Sequence, residues 1–517
     1  MTIPTGETTA SKASGSRTGT GSRPRPVTGP GERFLVLAAP PLVTLVAALW
    51  GITGPSYWRD EAATLVAVQR PFSQLLRMLG NVDAVHAAYY VMMWVVVRLG
   101  GTGELATRLP SALAMAGAAL AVAAIGSRLV SARAGLFAGL VFAVLPATGY
   151  YAQDARSDAF AVGLAAAATY FLVRILQDGG ATRWLIGYGA CLAALGLIDI
   201  LALLLVAAHA VTVVAAAVRE KDHAARRALL VRWLLAVAVA LVVVSPLAWL
   251  AFGQRSALNW VAPLNAHSLE RLAGLVAPKW GRHTLQLPFA LGLLAVTGLG
   301  LVVSAAGGRE MLRRRWPPDF VATCLPWLVV PPAILALTSV LVPIYTVRYI
   351  LFCLPAIALI VGTALAAIGR EVGAVILVGI LLLGLPEQQA FRRPFGHNEN
   401  IRQADRIVAR NMQRGDAAIF HNGSVDPVSW NYAYPYGFAQ LRDISQDQTP
   451  AQSGTLSGTL APAAVVQQRL SGLSRVWVVD LRYRRRAPRL DSQGFTLTRS
   501  WRIGDIWLFL YTRSSGT

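Results

Sequence analysis

The chain has 517 residues, 55% hydrophobic and only 14% charged, with a mean hydropathy of +0.50 and a formal net charge of +21. An ordinary soluble domain carries about 25% charged residues, so a set of soluble domains is excluded and most of the chain is expected to face lipid. The basic residues argue against a nucleic-acid partner: they sit in short breaks between apolar runs, as in Arg219 to Arg232 and Arg309 to Arg315, where they set topology and meet anionic headgroups.

Residues 1–33, rich in Thr, Ser, Gly and Pro, read as a disordered cytoplasmic tail, too long and polar for a signal-peptide n-region. Apolar stretches then recur from Phe34 to Leu385, and a helical crossing needs about 20 such residues. The predicted spans are 34–53, 109–127, 134–150, 159–176, 184–198, 200–218, 233–252, 286–306, 320–340, 349–368 and 371–386. One further apolar stretch, His86 to Leu99, is too short to cross and carries Tyr and Trp, which favour the headgroup level. It is read as an interfacial helix within an external loop over 54–108.

The breaks at Arg128/Arg133, Arg174/Arg183, Arg219 to Arg232, Arg309 to Arg315 and Arg370 alternate with breaks poorer in basic residues. The positive-inside rule therefore puts the N-terminus in the cytoplasm, and eleven crossings put the C-terminus outside, with residues 34–386 as the membrane domain. Beyond residue 387 charge rises and short alternating runs appear, Arg475 to Leu481 and Asp505 to Tyr511, which read as strands. Asn398 to Gln413 reads as an amphipathic helix, and 445–461 as a flexible insertion. The expected fold is thus an all-α polytopic membrane protein with a small extracytoplasmic α/β domain over 387–517. Cys191, Cys324 and Cys353 all fall in apolar runs, without zinc-site or disulfide spacing.

Ionisable groups at membrane depth are costly, so they mark cavities and chemistry. Three external breaks carry them. In Tyr57-Trp58-Arg59-Asp60-Glu61 the acidic pair suits either a general base for an acceptor hydroxyl or a helix N-terminus, and the residues alone leave both open. In Tyr151 to Asp158, Asp154 and Arg156 suit a hydroxylated ligand, while Asp158 also suits a helix start. In Pro343 to Tyr349, Arg348 suits bidentate binding of a phosphate or a snorkelling position at the interface. Weaker signals are an intramembrane pairing of Asp199 with His209, the loop residues Lys279, Trp280 and His283, and the glycosylation-type sequence Asn422-Gly423-Ser424.

In order and spacing these motifs resemble the polytopic GT-C glycosyltransferases, in the branch of protein O-mannosyltransferases and the lipid A aminoarabinose transferase. The resemblance runs over roughly residues 34–370: Asp60-Glu61 after the first span, Arg108-Leu109-Pro110-Ser111, the Tyr151 to Asp158 loop, and Arg348-Tyr349. His86-Ala87-Ala88-Tyr89 departs from the pattern by lacking its prolines. The resemblance implies an inverting transferase in the cell membrane that moves mannose or another hexose or pentose from a polyprenyl-phosphate donor to a lipid, glycan or protein hydroxyl at the outer face. It further implies Asp60 as base supported by Glu61, Arg348 and Tyr349 at the donor phosphate, and Asp154, Arg156, Tyr151 and His86 around the sugar or acceptor. Whether a divalent metal assists stays open. The rival expectations are a transporter and a non-catalytic binder of lipid-linked glycan.

Overall fold

The computed structural model describes residues 30–255, 261, 263–265, 271–278, 286–397, 399–420, 430–481 and 490–513. The tail over 1–29, Lys279, Trp280 and His283, and Asn422-Gly423-Ser424 lie outside the described residues. Helices follow the apolar runs: α1 (Pro30–Leu49), α2 (Arg59–Val68), α3 (Phe72–Asn81), α4 (Ala87–Gly100), α5 (Glu104–Leu129), α6 (Ala132–Val144), α7 (Pro146–Ala152), α8 (Asp158–Gln177), α9 (Thr182–Ile198), α10 (Leu205–Arg219) and α11 (His223–Gly253). After them come α12 (Gln286–Ala306), α13 (Gly308–Arg315), α14 (Pro318–Leu341), α15 (Leu354–Ile368) and α16 (Arg370–Phe391). Among the described residues eight helices are long and apolar enough to cross a membrane, nine if the bent pair α6/α7 is one span. With the shorter apolar helices α1 and α9, each of the eleven predicted stretches coincides with a helix.

Three expectations need correction. The stretch 134–150 is not one straight span: the axis turns by 61° between α6 and α7. Pro146 has no N–H to give, and Leu145 before it is extended at φ −61°, ψ 131°, as a residue preceding proline prefers. Residues 54–108 are not one loop with a single helix but hold α2, α3, α4 and the first turn of α5. Asp199 and His209 do not pair. Asp199 accepts the N–H groups of Leu201 and Ala202 (3.0 and 3.3 Å), closing its own turn. His209 sits in a neutral chain: Trp233 Nε1 donates to Tyr188 Oη (3.0 Å), Tyr188 donates to His209 Nδ1 (3.1 Å), and His209 Nε2 donates to Thr169 Oγ1 (3.0 Å).

The bundle packs through small residues, as helices in lipid do when no water drives them together. A Cβ on Gly362 of α15 would lie 2.3 Å from the Ala138 backbone of α6, so glycine alone permits that approach. The arginine-rich breaks share one end: Arg128 donates to Gln177 (3.3 Å), Arg232 to Gly180 O (3.5 Å), and Arg219 pairs with Asp319. The break between α7 and α8, the start of Val347–Cys353, and α2 to α4 share the other end, together with the C-terminal domain.

That domain contains α17 (Ile401–Asn411), a second helix α18 (Ala463–Leu470) and strands β1 (Ala417–Phe420), β2 (Arg442–Asp443), β3 (Gln446–Gln448), β4 (Thr459–Leu460), β5 (Arg475–Leu481), β6 (Phe495–Ile503) and β7 (Ile506–Arg513). Five strands form a mixed sheet, β2-β1-β5-β7-β6, in which β1 runs parallel to both neighbours and β7 antiparallel to β5 and β6. Ile401, Ala404 and Val408 of α17 pack on Trp477, Val479, Leu508 and Leu510 of one sheet face. Residues 445–461 are an ordered flap, not a flexible insertion. Strands β3 and β4 pair, and Thr449 with Gln452 makes a capping box on a helical turn at Pro450–Ser453. The flap is docked: Asn81 Nδ2 donates to Gly454 O (3.2 Å), Arg70 to Thr455 O (2.5 Å), and Leu456 packs against the α3/α4 cluster.

Candidate active site

The site is assembled on a buried ion pair. Arg108 and Glu61 are both wholly buried, with Arg108 Nε and Nη2 donating to the two Glu61 oxygens at 2.8 and 2.7 Å. The remaining Arg108 donors reach Ile52 O (2.7 Å), Pro55 O (3.0 Å) and Ser56 O (3.4 Å), and Glu61 Oε1 also accepts from Ala155 N (2.9 Å). One residue pair thus fixes the 52–61 and 153–156 loops on α5, and Ser111 Oγ adds a bond to Asp154 O (2.7 Å). Both Glu61 oxygens are buried and hydrogen-bonded, whereas the side chain of the neighbouring Asp60 is part-exposed.

Successive residues on a helix point about 100° apart, so Asp60, next to Glu61 in the first turn of α2, faces the other way. Its side chain is 29% exposed and its Oδ2 accepts from Arg348 Nη1 at 2.8 Å. Arg348 also holds Asp158 through two donors (2.7 and 2.6 Å) and stands 4.0 Å from Asp154 Oδ2. Arg156 closes the other side, donating to Asp60 O (3.5 Å), Tyr90 Oη (3.5 Å) and His86 Nε2 (3.0 Å). Since His86 Nε2 accepts, its proton is on Nδ1 and donates to Asp83 Oδ1 (2.7 Å). Asp83 is the one non-glycine residue with positive φ (62°) among the described residues, a conformation Asp tolerates and which turns its carboxylate toward His86 and Tyr90.

Electrostatics separates the two loop carboxylates. Burial disfavours the charge of Asp60, but Arg156, Arg348 and Arg59 outweigh it and hold the group below the usual carboxylate value. Asp154 is 1% exposed; burial, then the neighbouring Glu61 and Asp158 charges, push it up to about 8 despite Arg348 and the Trp58 Nε1 hydrogen bond (3.1 Å). Asp154 Oδ2 and Arg156 Nε are buried without a hydrogen-bond partner. Buried polar atoms are nearly always paired, so two polar atoms left open in this cluster fit a polar ligand.

Of the residues named from sequence, Asp60, Asp154, Arg156 and Arg348 therefore meet, and His86 joins through Arg156. Tyr151 and Tyr349 flank the cluster, part-buried against the main membrane core. Sequence reasoning missed the frame residue Arg108 as a partner of Glu61, the strut Trp58, and His397 and Glu399. His397 stacks on Trp58 at 5.4 Å with rings 9° apart, and Glu399 accepts from Arg59 N at 2.9 Å. No periodicity links residues some 340 positions apart, so nothing in the sequence joined His397 and Glu399 to the 57–61 segment, while Asp158 was visible as a possible helix start.

The arrangement of helices and C-terminal domain is similar to that of ArnT from Cupriavidus metallidurans in the apo state, at 14% identity over 93% of this chain and 98% of that one, with a TM-score of 0.56. The chain has the GT-C fold. The same GT-C architecture matches ArnT from that organism bound to undecaprenyl phosphate, again at 14% identity over 93% and 98% of the two chains, TM-score 0.54. It also matches the apo form of the Archaeoglobus fulgidus oligosaccharyltransferase, at 10% identity over 87% of this chain and 69% of that one, TM-score 0.50. The family model of dolichyl-phosphate-mannose-protein mannosyltransferases matches residues 86–249, a stretch that includes Arg108, Asp154, Arg156 and Asp158. No curated protein sequence matches the chain. A separate cavity of about 350 Å³, lined by Gln177, Thr212, Arg219 and Asp319 among others, lies at the arginine-rich end. The 20 residues of α8 set it about 30 Å from the carboxylate cluster.

Proposed function

We propose that this protein is an inverting glycosyltransferase that moves a sugar from a polyprenyl-phosphate donor to an acceptor hydroxyl at the outer face of the cell membrane. The observation that carries the reading is a part-exposed Asp60 held 2.8 Å from Arg348, beside a cluster in which two buried polar atoms, Asp154 Oδ2 and Arg156 Nε, have no hydrogen-bond partner. The arginine-rich breaks favour the cytoplasm for the opposite end, which puts this cluster and the C-terminal domain outside. A transporter sets its charged groups near the bilayer midplane between helices; here they gather at one end.

Asp60 takes the acceptor proton as the acceptor oxygen attacks the anomeric carbon in line. The bond from that carbon to the phosphate oxygen breaks, and the polyprenyl phosphate leaves with the electron pair. Arg348 and Arg156 meet the charge developing on the phosphate. In the unliganded site Arg348 is spent on Asp60 and Asp158, so an arriving phosphate competes with Asp60 for it. The donor thereby loosens the pair and frees the base. Tyr349 stands with Arg348 at the donor phosphate, Tyr151 lies on the sugar side, and Glu61 supports Asp60 from behind through Arg108. Incubating the purified protein with a panel of polyprenyl-phosphate sugars and measuring release of polyprenyl phosphate tests this; no turnover or binding with any of them refutes it.

A divalent metal does not suit these residues. Among the described residues no three His, Cys, Asp or Glu side chains are placed to ligate one ion, and the guanidinium of Arg348 stands between Asp60, Asp154 and Asp158, where a cation would sit. Transfer is accordingly expected to proceed at the same rate in excess EDTA, and a loss restored by added metal would contradict this. The proton on Asp154 gives a second expectation. As pH rises through about 8 Asp154 ionises and becomes a further anion beside Arg348, competing with the phosphate. Donor kcat/KM should therefore fall above that pH, and Asp154→Asn should remove the alkaline limb.

A further inference from the structure

The segment joining the membrane helices to the C-terminal sheet forms the back wall of the carboxylate cluster. Ser56 N donates to Pro394 O (3.1 Å) and Arg402 N to Ser56 Oγ (3.0 Å). Arg402 Nη2 donates to Thr53 O and Pro55 O (both 3.0 Å) and pairs with Glu104 (2.6 Å). The fit is close: a Cβ on Gly54 would lie 2.2 Å from Arg392 O. The loop that leads into α2 is thus cast against residues far along the chain.

The start of α2 lacks a cap of its own. Its N-cap, Trp58, makes no side-chain capping bond, because an indole cannot accept one. Glu399 supplies the missing acceptor: its side chain is 5% exposed, and Oε2 takes the Arg59 N–H at 2.9 Å, a carboxylate on a helix N-terminus. Glu399 is itself held by a β-bridge to Gly504, the residue whose positive φ of 63° allows the two-residue β6–β7 turn. The Arg59 guanidinium stands between two carboxylates, Nε lying 3.9 Å from Glu399 Oε1 and 3.7 Å from Asp60 Oδ1.

We propose that Glu399 is a positioning residue for transfer, by which the C-terminal domain caps α2 and shares Arg59 with Asp60, so that the seating of that domain sets the aim of the base. The inference rests on the transferase reading above. A misplacement of about 1 Å at a reacting group can lower a rate by about 100-fold, and Asp60 directly follows the residue Glu399 holds. The charged groups facing Asp60 are Arg59 from its own helix, Arg156 from the break before α8, Asp158 at the first position of α8, Asp154 behind them, and Arg348 from Val347–Cys353. Removing the Glu399 charge leaves Arg59 to Asp60 alone, which strengthens the hold on the ionised carboxylate.

The test uses the full-length protein in nanodiscs with a polyprenyl-phosphate sugar that it turns over, comparing wild type, Glu399→Ala, Glu399→Gln and Asp60→Asn. Glu399→Ala is expected to lower kcat by roughly 10- to 100-fold with little change in donor KM. Glu399→Gln, whose amide oxygen still accepts from Arg59 N, is expected to regain most of kcat while its acid limb moves to lower pH. Amide hydrogen exchange over residues 59–63 should rise in the alanine variant and not in the glutamine variant. Wild-type kcat in Glu399→Ala, or a loss that Glu399→Gln does not relieve, overturns the assignment. A transferase reading that fails shows itself differently, as an unaffected Asp60→Asn or a wild type without turnover. Equal exchange over 59–63 in wild type and Glu399→Ala refutes the capping whatever the activity.

Discussion

Asp60→Asn is expected to lower kcat by about 10²- to 10⁴-fold, the usual contribution of a positioned general base. Asparagine keeps the shape of the side chain but cannot take the acceptor proton. Its effect on donor binding should have the opposite sign: Arg348, relieved of its 2.8 Å pairing with Asp60, is freer for a phosphate, so affinity for polyprenyl phosphate should tighten. The pH profile of the wild type separates the two states of the base. In the free enzyme Asp60 is held below its ordinary value of 3.8, so kcat/KM should fall only as pH drops below that value and the carboxylate takes up a proton. With donor bound, Arg348 is shared with the phosphate and a new negative charge lies nearby, both of which favour the protonated form. The acid limb of kcat should then lie at higher pH than that of kcat/KM. Coincident limbs, or an Asp60→Asn protein that folds, inserts and turns over normally, would remove Asp60 from the role.

Arg108→Ala is expected to be the most damaging substitution for the fold, destabilising it by roughly 3–5 kcal/mol, as when one partner of a buried ion pair is removed. It leaves the buried Glu61 carboxyl without its ion-pair partner, and it strips the carbonyls of Ile52, Pro55 and Ser56 of donors. Glu61→Gln should cost less, since the amide oxygen still accepts from Arg108. A double replacement by apolar residues of similar volume should recover only part of the loss: it removes both charges but still leaves those three carbonyls unpaired. Thermal unfolding in detergent reads the order directly. A midpoint for Arg108→Ala equal to wild type would show that the pair is not what holds the loops to α5.

Hydropathy and arginine placement made most of the architecture legible, because burial in lipid is imposed residue by residue along the chain. Eleven apolar stretches coincide with helices, the segment at 86–99 is a helix too short to cross, and the alternation in Arg475 to Leu481 is a buried strand. Parity of crossings also put Asp60, Asp154 and Arg348 at one end. Where local composition misled, a specific contact supplied the reason. The Ser-, Thr- and Gln-rich 445–461 stretch is ordered by its capping box and by Arg70 and Asn81 across the domain boundary. Asp199 turns on its own backbone, leaving His209 to Tyr188 and Thr169.

By itself, then, the sequence determined a many-span membrane protein with its ionisable residues gathered at the end away from its arginine-rich breaks, since both follow from the period and placement of residues near one another in the chain. Only the tertiary structure decided what each charge does. Asp60 and Glu61 are neighbours with the same chemistry, yet one is sealed against Arg108 and the other opens beside Arg348, and the C-terminal Glu399 reaches the helix that carries them both. A carboxylate's role depends on which cation and how much water lie within a few ångströms. Those partners come from segments 47, 288 and 340 residues away, a separation at which no local pattern carries information.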